Sequence, residues 1–150
     1  MTQIPRAPLI LGLAGLIPFL WGAISYLVPG LDVRGAQILG PQFVSTFVQL
    51  SYGTVILSFM SGVLWGFATK ATGAQAVMGY ALATLPALWA FVMTGSGPTS
   101  GLINLIFGFI GVLMLDFAFT NWGLTPQWWM KLRILLTSVV VACLSVGVFL

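Results

Sequence analysis

The chain has 150 residues, of which 59% are apolar and 5% carry a charge, with a formal net charge of +3. A soluble domain carries about 25% charged residues, so this chain has too little polar surface to face water. That excludes a soluble enzyme, a nucleic-acid binder and a disulfide-stapled secreted scaffold. The rare residue types exclude more. There is no histidine, and Asp32 and Asp116 are the two acids, far apart in sequence. A zinc site needs three or four Cys, His or carboxylate ligands, so no metal site and no His-ligated haem is expected. Cys143 is the one cysteine and can form no intrachain disulfide; within an apolar segment it behaves as a small apolar residue. The five bases Arg6, Arg34, Lys70, Lys131 and Arg133 form no stripe that would bind nucleic acid.

A membrane-spanning helix needs about 20 apolar residues, and the sequence divides into five such stretches. The first covers 8–28, after Arg6 and before the Pro29–Gly30 pair. It is too long for the 7–15-residue core of a signal peptide and has no small-residue cleavage pattern, so a retained span is expected. The second covers 42–68 and is longer than the hydrocarbon core requires. It either tilts or leaves its polar start (Gln42, Ser45, Thr46, Gln49) at the interface. The third covers 74–94 and contains Pro86, the fourth covers 100–120 after the turn-forming GSGPTS stretch, and the fifth covers 128–150. Pro18 and Pro86 lie inside their spans and should bend them. The fold class is therefore all-α, a polytopic membrane protein with five transmembrane helices in one compact bundle. The connections are expected to be short.

Five crossings place the termini on opposite faces. Arg6, Lys70, Lys131 and Arg133 fall on one face, and Arg34, balanced by Asp32, on the other. The positive-inside rule then puts the N-terminus in the cytoplasm and the C-terminus outside. Trp65, Trp122, Trp128 and Trp129 gather toward the basic face. Trp122, Trp128 and Trp129, with Lys131, read as interface anchors.

Two small-residue patterns stand out. In the second span Thr54, Ser58, Gly62 and Gly66 recur every four residues; in the fourth, Asn104, Gly108 and Gly111 share one helix face. Small residues let helix backbones approach closely in lipid. Packing inside the bundle is the first expectation for both. A seam to a second copy or a partner subunit is the second, and a ligand groove with Tyr52 and the hydroxyls is the third. Tyr52 and Trp65 are candidate ligand or partner contacts. Asn104 should hydrogen-bond to a neighbouring helix. Asp116 most requires an explanation, because an ionisable group inside a span is a functional candidate whose partner must be found. Arg133, about one turn into the fifth span from the same face, is the nearest cation. A pair between Asp116 and Arg133 is expected, with Lys131 reaching to the headgroups.

The stretches Ile4–Phe19, Tyr52–Ala68 and Pro126–Thr137 resemble, in order, the uncharacterised DUF3429 family, bacterial relatives of the mitochondrial transmembrane protein 69. The family pattern favours Trp-Tyr where Trp128-Trp129 stands, and a second glycine where Ser61 stands. The resemblance implies a small multispanning protein of the bacterial inner membrane, and brings no catalytic residue or cofactor with it.

A non-enzymatic accessory or assembly component of a larger membrane complex fits these features first. The relation to a mitochondrial protein points to a respiratory or other energy-transducing assembly. Its partners would be membrane lipids and other subunits, or copies of itself. The alternative is an oligomeric carrier of a small molecule or ion, or a binder of quinone or lipid, suggested by Asp116, Tyr52 and the hydroxyl stripe. An intramembrane hydrolase built on Ser58 or Ser61 lacks a His or Lys base in the spans.

Overall fold

The first apolar run is interrupted where the sequence predicts a bend. Pro18 has no amide to give the carbonyl one turn earlier, and its ring crowds that carbonyl. The run therefore divides into α1 (Arg6–Ala14) and α2 (Ile17–Leu27), with Pro18 in the first turn of α2. At the join the Leu16 amide bonds back only three residues, to Leu13 O at 3.1 Å. The structure, a computed structural model, describes residues 3–150. Its remaining helices are α3 (Leu31–Leu39), α4 (Ser45–Ala68), α5 (Gly73–Met93), α6 (Pro98–Asn121) and α7 (Trp129–Phe149). Taking α1 and α2 as one continuous run, five helices are long and apolar enough to cross a membrane.

The expected short link between the first and second spans is wrong. A nine-residue helix, α3, and a 3-10 turn at Pro41–Phe43 fill it. Helix α3 exposes Val33, Ile38 and Leu39 beside Asp32, Arg34 and Gln37. Mixed apolar and charged exposure suits a helix lying in the headgroup layer. It docks through Gly35, where a Cβ would come within 2.8 Å of Val44 and 3.1 Å of Trp21. The Trp21 indole N–H in turn donates to Phe43 O at 2.8 Å.

Helix α4 is the centre of the bundle and packs against α2, α5 and α6, while α7 packs against α6 and α2. Its first residue, Ser45, has φ +55°, a conformation that costs a non-glycine residue energy. The Ser45 amide is held there by Ser25 Oγ of α2 at 2.8 Å. Gln49, in the polar start of the second span, is buried one turn into α4. Its Nε2 donates to Phe19 O and to Cys143 O, each at 3.1 Å, tying α4 to α2 and α7.

One apolar cluster joins Phe19, Leu57, Leu102, Leu105, Phe109 and Leu144; a second, smaller one joins Leu64, Ala68, Ala83, Phe119 and Leu124. The outer surface carries Leu11, Phe59, Val77, Phe91, Met114 and Phe117. Large apolar side chains on the outside match a lipid surrounding and would be a liability in water. Pro86 is buried within α5, and the Ala87 amide beside it donates to Ser61 Oγ of α4 at 2.8 Å. A hydroxyl on a neighbouring helix thus serves a backbone group beside the proline, as occurs where proline interrupts the hydrogen bonding of a spanning helix.

Candidate functional site

The link from α6 to α7 sets the site. Helix α6 ends in a Schellman motif: Gly123 takes φ +72°, its amide bonds to Thr120 O at 3.0 Å, and the Leu124 amide bonds to Phe119 O at 3.1 Å. Leu124 is buried in the same cluster as Phe119, the apolar contact that usually accompanies this cap. The chain reverses there, so α7 returns against α6 and residues near the two helix ends meet at one depth.

Asp116 lies five residues before the end of α6 and Arg133 four residues into α7. Arg133 Nε donates to Asp116 Oδ2 at 2.7 Å. Asp116 is 0% exposed and Arg133 5%. The other carboxylate oxygen is also taken: the Trp129 indole N–H donates to Asp116 Oδ1 at 2.9 Å. Trp129 and Arg133 stand four residues apart on one face of α7, so one turn of helix presents both donors. The guanidinium engages the carboxylate through Nε, and Arg133 Nη2 has no hydrogen-bond partner among the described residues. The same is true of Thr137 Oγ1, one turn further along α7. The other two hydroxyls on that helix, Ser138 and Ser145, each donate to the carbonyl one turn back, at 2.7 Å.

Arg133 and Thr137 line a cavity of about 270 Å³ between the α1–α2 break, α4, α6 and α7. Gly12 and Gly15, without side chains, keep its α1 wall thin, and a Cβ on Gly15 would lie 3.7 Å from the Tyr52 hydroxyl. Phe19 meets Tyr52 and Phe109 edge-on, with ring centroids 5.1 and 5.7 Å apart, and all three face the cavity.

The other residues singled out in the sequence fall into three places. Trp129 is more than an interface anchor, since its N–H is committed to Asp116 and its ring packs edge-on against Phe67 at 5.0 Å. Trp122 packs on Phe119 and Trp128 on Trp129, while Lys131 is exposed. Tyr52 and Trp65 do not share a site: Tyr52 borders the cavity, whereas Trp65 stacks on Tyr80, 4.6 Å between centroids. The stripe on α4 does not pack inside the bundle as a unit. Thr54 reaches Thr94 of α5 at 3.4 Å, but Ser58, Gly62 and Gly66 are exposed, and a Cβ on either glycine would meet nothing within 4 Å. The reason is angular: residues four apart advance 400° on a 100° helix, so the row drifts around α4 and leaves the buried face. On α6 Gly108 does pack inside, with a Cβ 2.7 Å from Leu57 and 3.0 Å from Trp89, while Gly111 borders open space. Asn104 Nδ2 donates to Met93 O at 2.7 Å, and Asn104 O accepts the Trp89 indole at the same distance.

Sequence reasoning did not single out Thr137, and it named Gln49, Ser61 and Trp129 without the bonds they make here. The four-residue spacing of Trp129 and Arg133 is a sequence signal for the pair of donors to Asp116. Gln49 and Ser61 bond to backbone groups, which carry no mark in a sequence.

The match to known proteins runs the length of the fold. The family described as "Protein of unknown function (DUF3429)" matches residues 4–149. Transmembrane protein 69 of Xenopus tropicalis is 34% identical over 145 residues, which cover 94% of this chain and 53% of that protein. The chain thus spans about half the length of this relative. No solved structure matches it. A five-span helical bundle with its buried acid–base node, matched from its first span to its last, belongs to the DUF3429 family.

Proposed function

We propose that this multi-pass membrane protein is a non-enzymatic accessory or assembly component of a larger complex in a bacterial inner membrane, of an energy-transducing kind. The observation that carries this is the outer face of α4. Ser58, Gly62 and Gly66 are exposed there, and a Cβ on either glycine would meet nothing within 4 Å. A backbone exposed in this way invites close approach of a second helix, which is how helices associate in lipid. Asp116 takes a donor on each carboxylate oxygen, from Arg133 and Trp129, which suits a scaffold.

Gly62→Leu and Gly66→Leu test the role. Each adds a side chain into open space, so the fold should keep its thermal stability, while a larger native complex in gels of its own membrane should be lost. A protein that migrates as a lone protomer in several mild detergents, or a complex indifferent to both substitutions, overturns the proposal.

Sidedness follows from the exposed bases. Arg133 is neutralised by Asp116, which leaves Arg6, Lys70 and Lys131 exposed at one end against Arg34 at the other. Three against one supports a reading with the N-terminus in the cytoplasm. Alkaline phosphatase fused after Leu150 should therefore be active, and the same enzyme fused in the 69–72 turn should not; the reverse pattern would invert the assignment.

A further inference from the structure

The cavity beside the acid–base node carries donors that the node does not use. From this we infer that it is a binding site for a neutral, carbonyl-bearing ring of the quinone class, entered from the lipid side and independent of any docking on α4.

Three observations specify the occupant. The first is hydrogen-bonding capacity. Arg133 Nη2 and Thr137 Oγ1 are buried without partners among the described residues, and both residues line the cavity. A buried donor left unmade costs free energy that an acceptor oxygen would recover. Guanidinium N–H groups only donate, so the complementary atom is an acceptor such as a carbonyl. Tyr52 supplies a further hydroxyl on the opposite wall.

The second is charge. Arg133 is already matched by Asp116 at 2.7 Å, so the node is neutral as a unit. A carboxylate or phosphate brought against it would leave one negative charge uncompensated in a medium of low dielectric constant. A neutral carbonyl takes the same hydrogen bonds without that penalty. The geometry thus selects against fatty acids and lipid phosphates.

The third is shape. The rings of Phe19, Tyr52 and Phe109 wall the cavity, and aromatic faces and edges receive a flat ring favourably. A volume of about 270 Å³ is slightly below the roughly 300–1,000 Å³ that encloses a whole drug-sized ligand. It suits a single ring whose apolar tail remains outside. The exit is marked by Leu11 and Phe59, which line the cavity and are exposed on the apolar outer surface.

The test uses the whole protein in phosphatidylcholine nanodiscs, with decyl-para-benzoquinone as the probe and tryptophan fluorescence as the readout. Saturable quenching is expected. Decylbenzene, which has the tail and ring without the carbonyls, and decanoate, which has the tail with a negative charge, should each compete about tenfold less well or worse. Thr137→Val with Tyr52→Phe removes two hydroxyls with little change of shape and should weaken the quinone about tenfold or more. Ile56→Trp, which fills the cavity from α4, should abolish saturable quenching while circular dichroism and thermal unfolding stay those of the parent. Non-saturable quenching, equal competition by decylbenzene, or an unchanged affinity in the double variant overturns the assignment. Tighter binding of decanoate than of the quinone would overturn it in favour of an anion site.

Discussion

At the end of the bundle where α6 turns into α7, a carboxylate receives one donor on each oxygen, from Arg133 and from Trp129. At the other end Asp32 and Arg34 are exposed on α3, and the buried polar side chains are neutral and bond to the backbone. Ser25 Oγ accepts the Ser45 amide, Gln49 reaches Phe19 O and Cys143 O, and Asn104 reaches Met93 O. The two ends hold the same helices together by different physics. A charged pair in lipid is all or nothing, since either partner alone is a desolvated charge. Phe19 O and Cys143 O lie inside α2 and α7, so the Gln49 amide shares acceptors that already take a hydrogen bond within their own helices. Its loss leaves little uncompensated, and measured side-chain hydrogen bonds in membrane bundles average about 0.6 kcal/mol.

The largest expected effect therefore lies at the charged end. Asp116→Asn and Arg133→Gln should each destabilise the protein by about 3–5 kcal/mol, the cost of leaving a buried charge without its partner. The double variant should lose much less than the sum, because both charges have then gone. Reversible unfolding in mixed micelles gives the three values. Strict additivity would mean that the 2.7 Å contact contributes nothing as a pair.

The neutral end sharpens the contrast. Gln49→Leu keeps the bulk that Gly22 makes room for, where a Cβ would lie 2.5 Å from Gln49 Cγ, and deletes both amide bonds. A loss of roughly 1–2 kcal/mol is expected from the same unfolding measurement. A loss as large as that of Asp116→Asn would erase the distinction between the two ends.

That distinction also explains what was legible in the sequence. Five spans follow from hydropathy, and their limits fall within a few residues of the observed helices, because length in lipid is fixed by bilayer thickness. The Asp116–Arg133 contact could be anticipated because charges are so scarce here that each has few possible partners. Trp129 was assigned to the interface since tryptophans usually sit there, and its indole N–H is satisfied just as well by a carboxylate. Helix α3 was invisible because nine residues with mixed polarity fall below any span length. The cavity was invisible for a different reason. It arises where Gly12, Gly15 and Pro18 break the first span opposite Tyr52 and Thr137, a meeting of three distant segments that periodicity along one segment cannot show.

The smallest effect concerns Pro86 within α5. Pro86 has no N–H to offer, and the Ala87 amide beside it donates to Ser61 Oγ at 2.8 Å, so the hydroxyl on α4 compensates a fault in the ladder of its neighbour. Ser61→Ala should cost about 0.6 kcal/mol, and no more than about 1.7. Ser61→Thr, which keeps the hydroxyl, should cost less unless its added methyl clashes. Ser61→Gly should cost more than alanine by up to about 1 kcal/mol, the difference in helix preference. The decisive variant is Pro86→Ala. With proline gone, α5 can close its own hydrogen bonds across that position, and the Ala87 amide no longer needs an external acceptor. The Ser61→Ala penalty should then shrink toward zero in the Pro86→Ala background. An equal penalty in both backgrounds, by the same unfolding measurement, would mean that Ser61 serves some other contact and that α5 is held at Pro86 by packing alone.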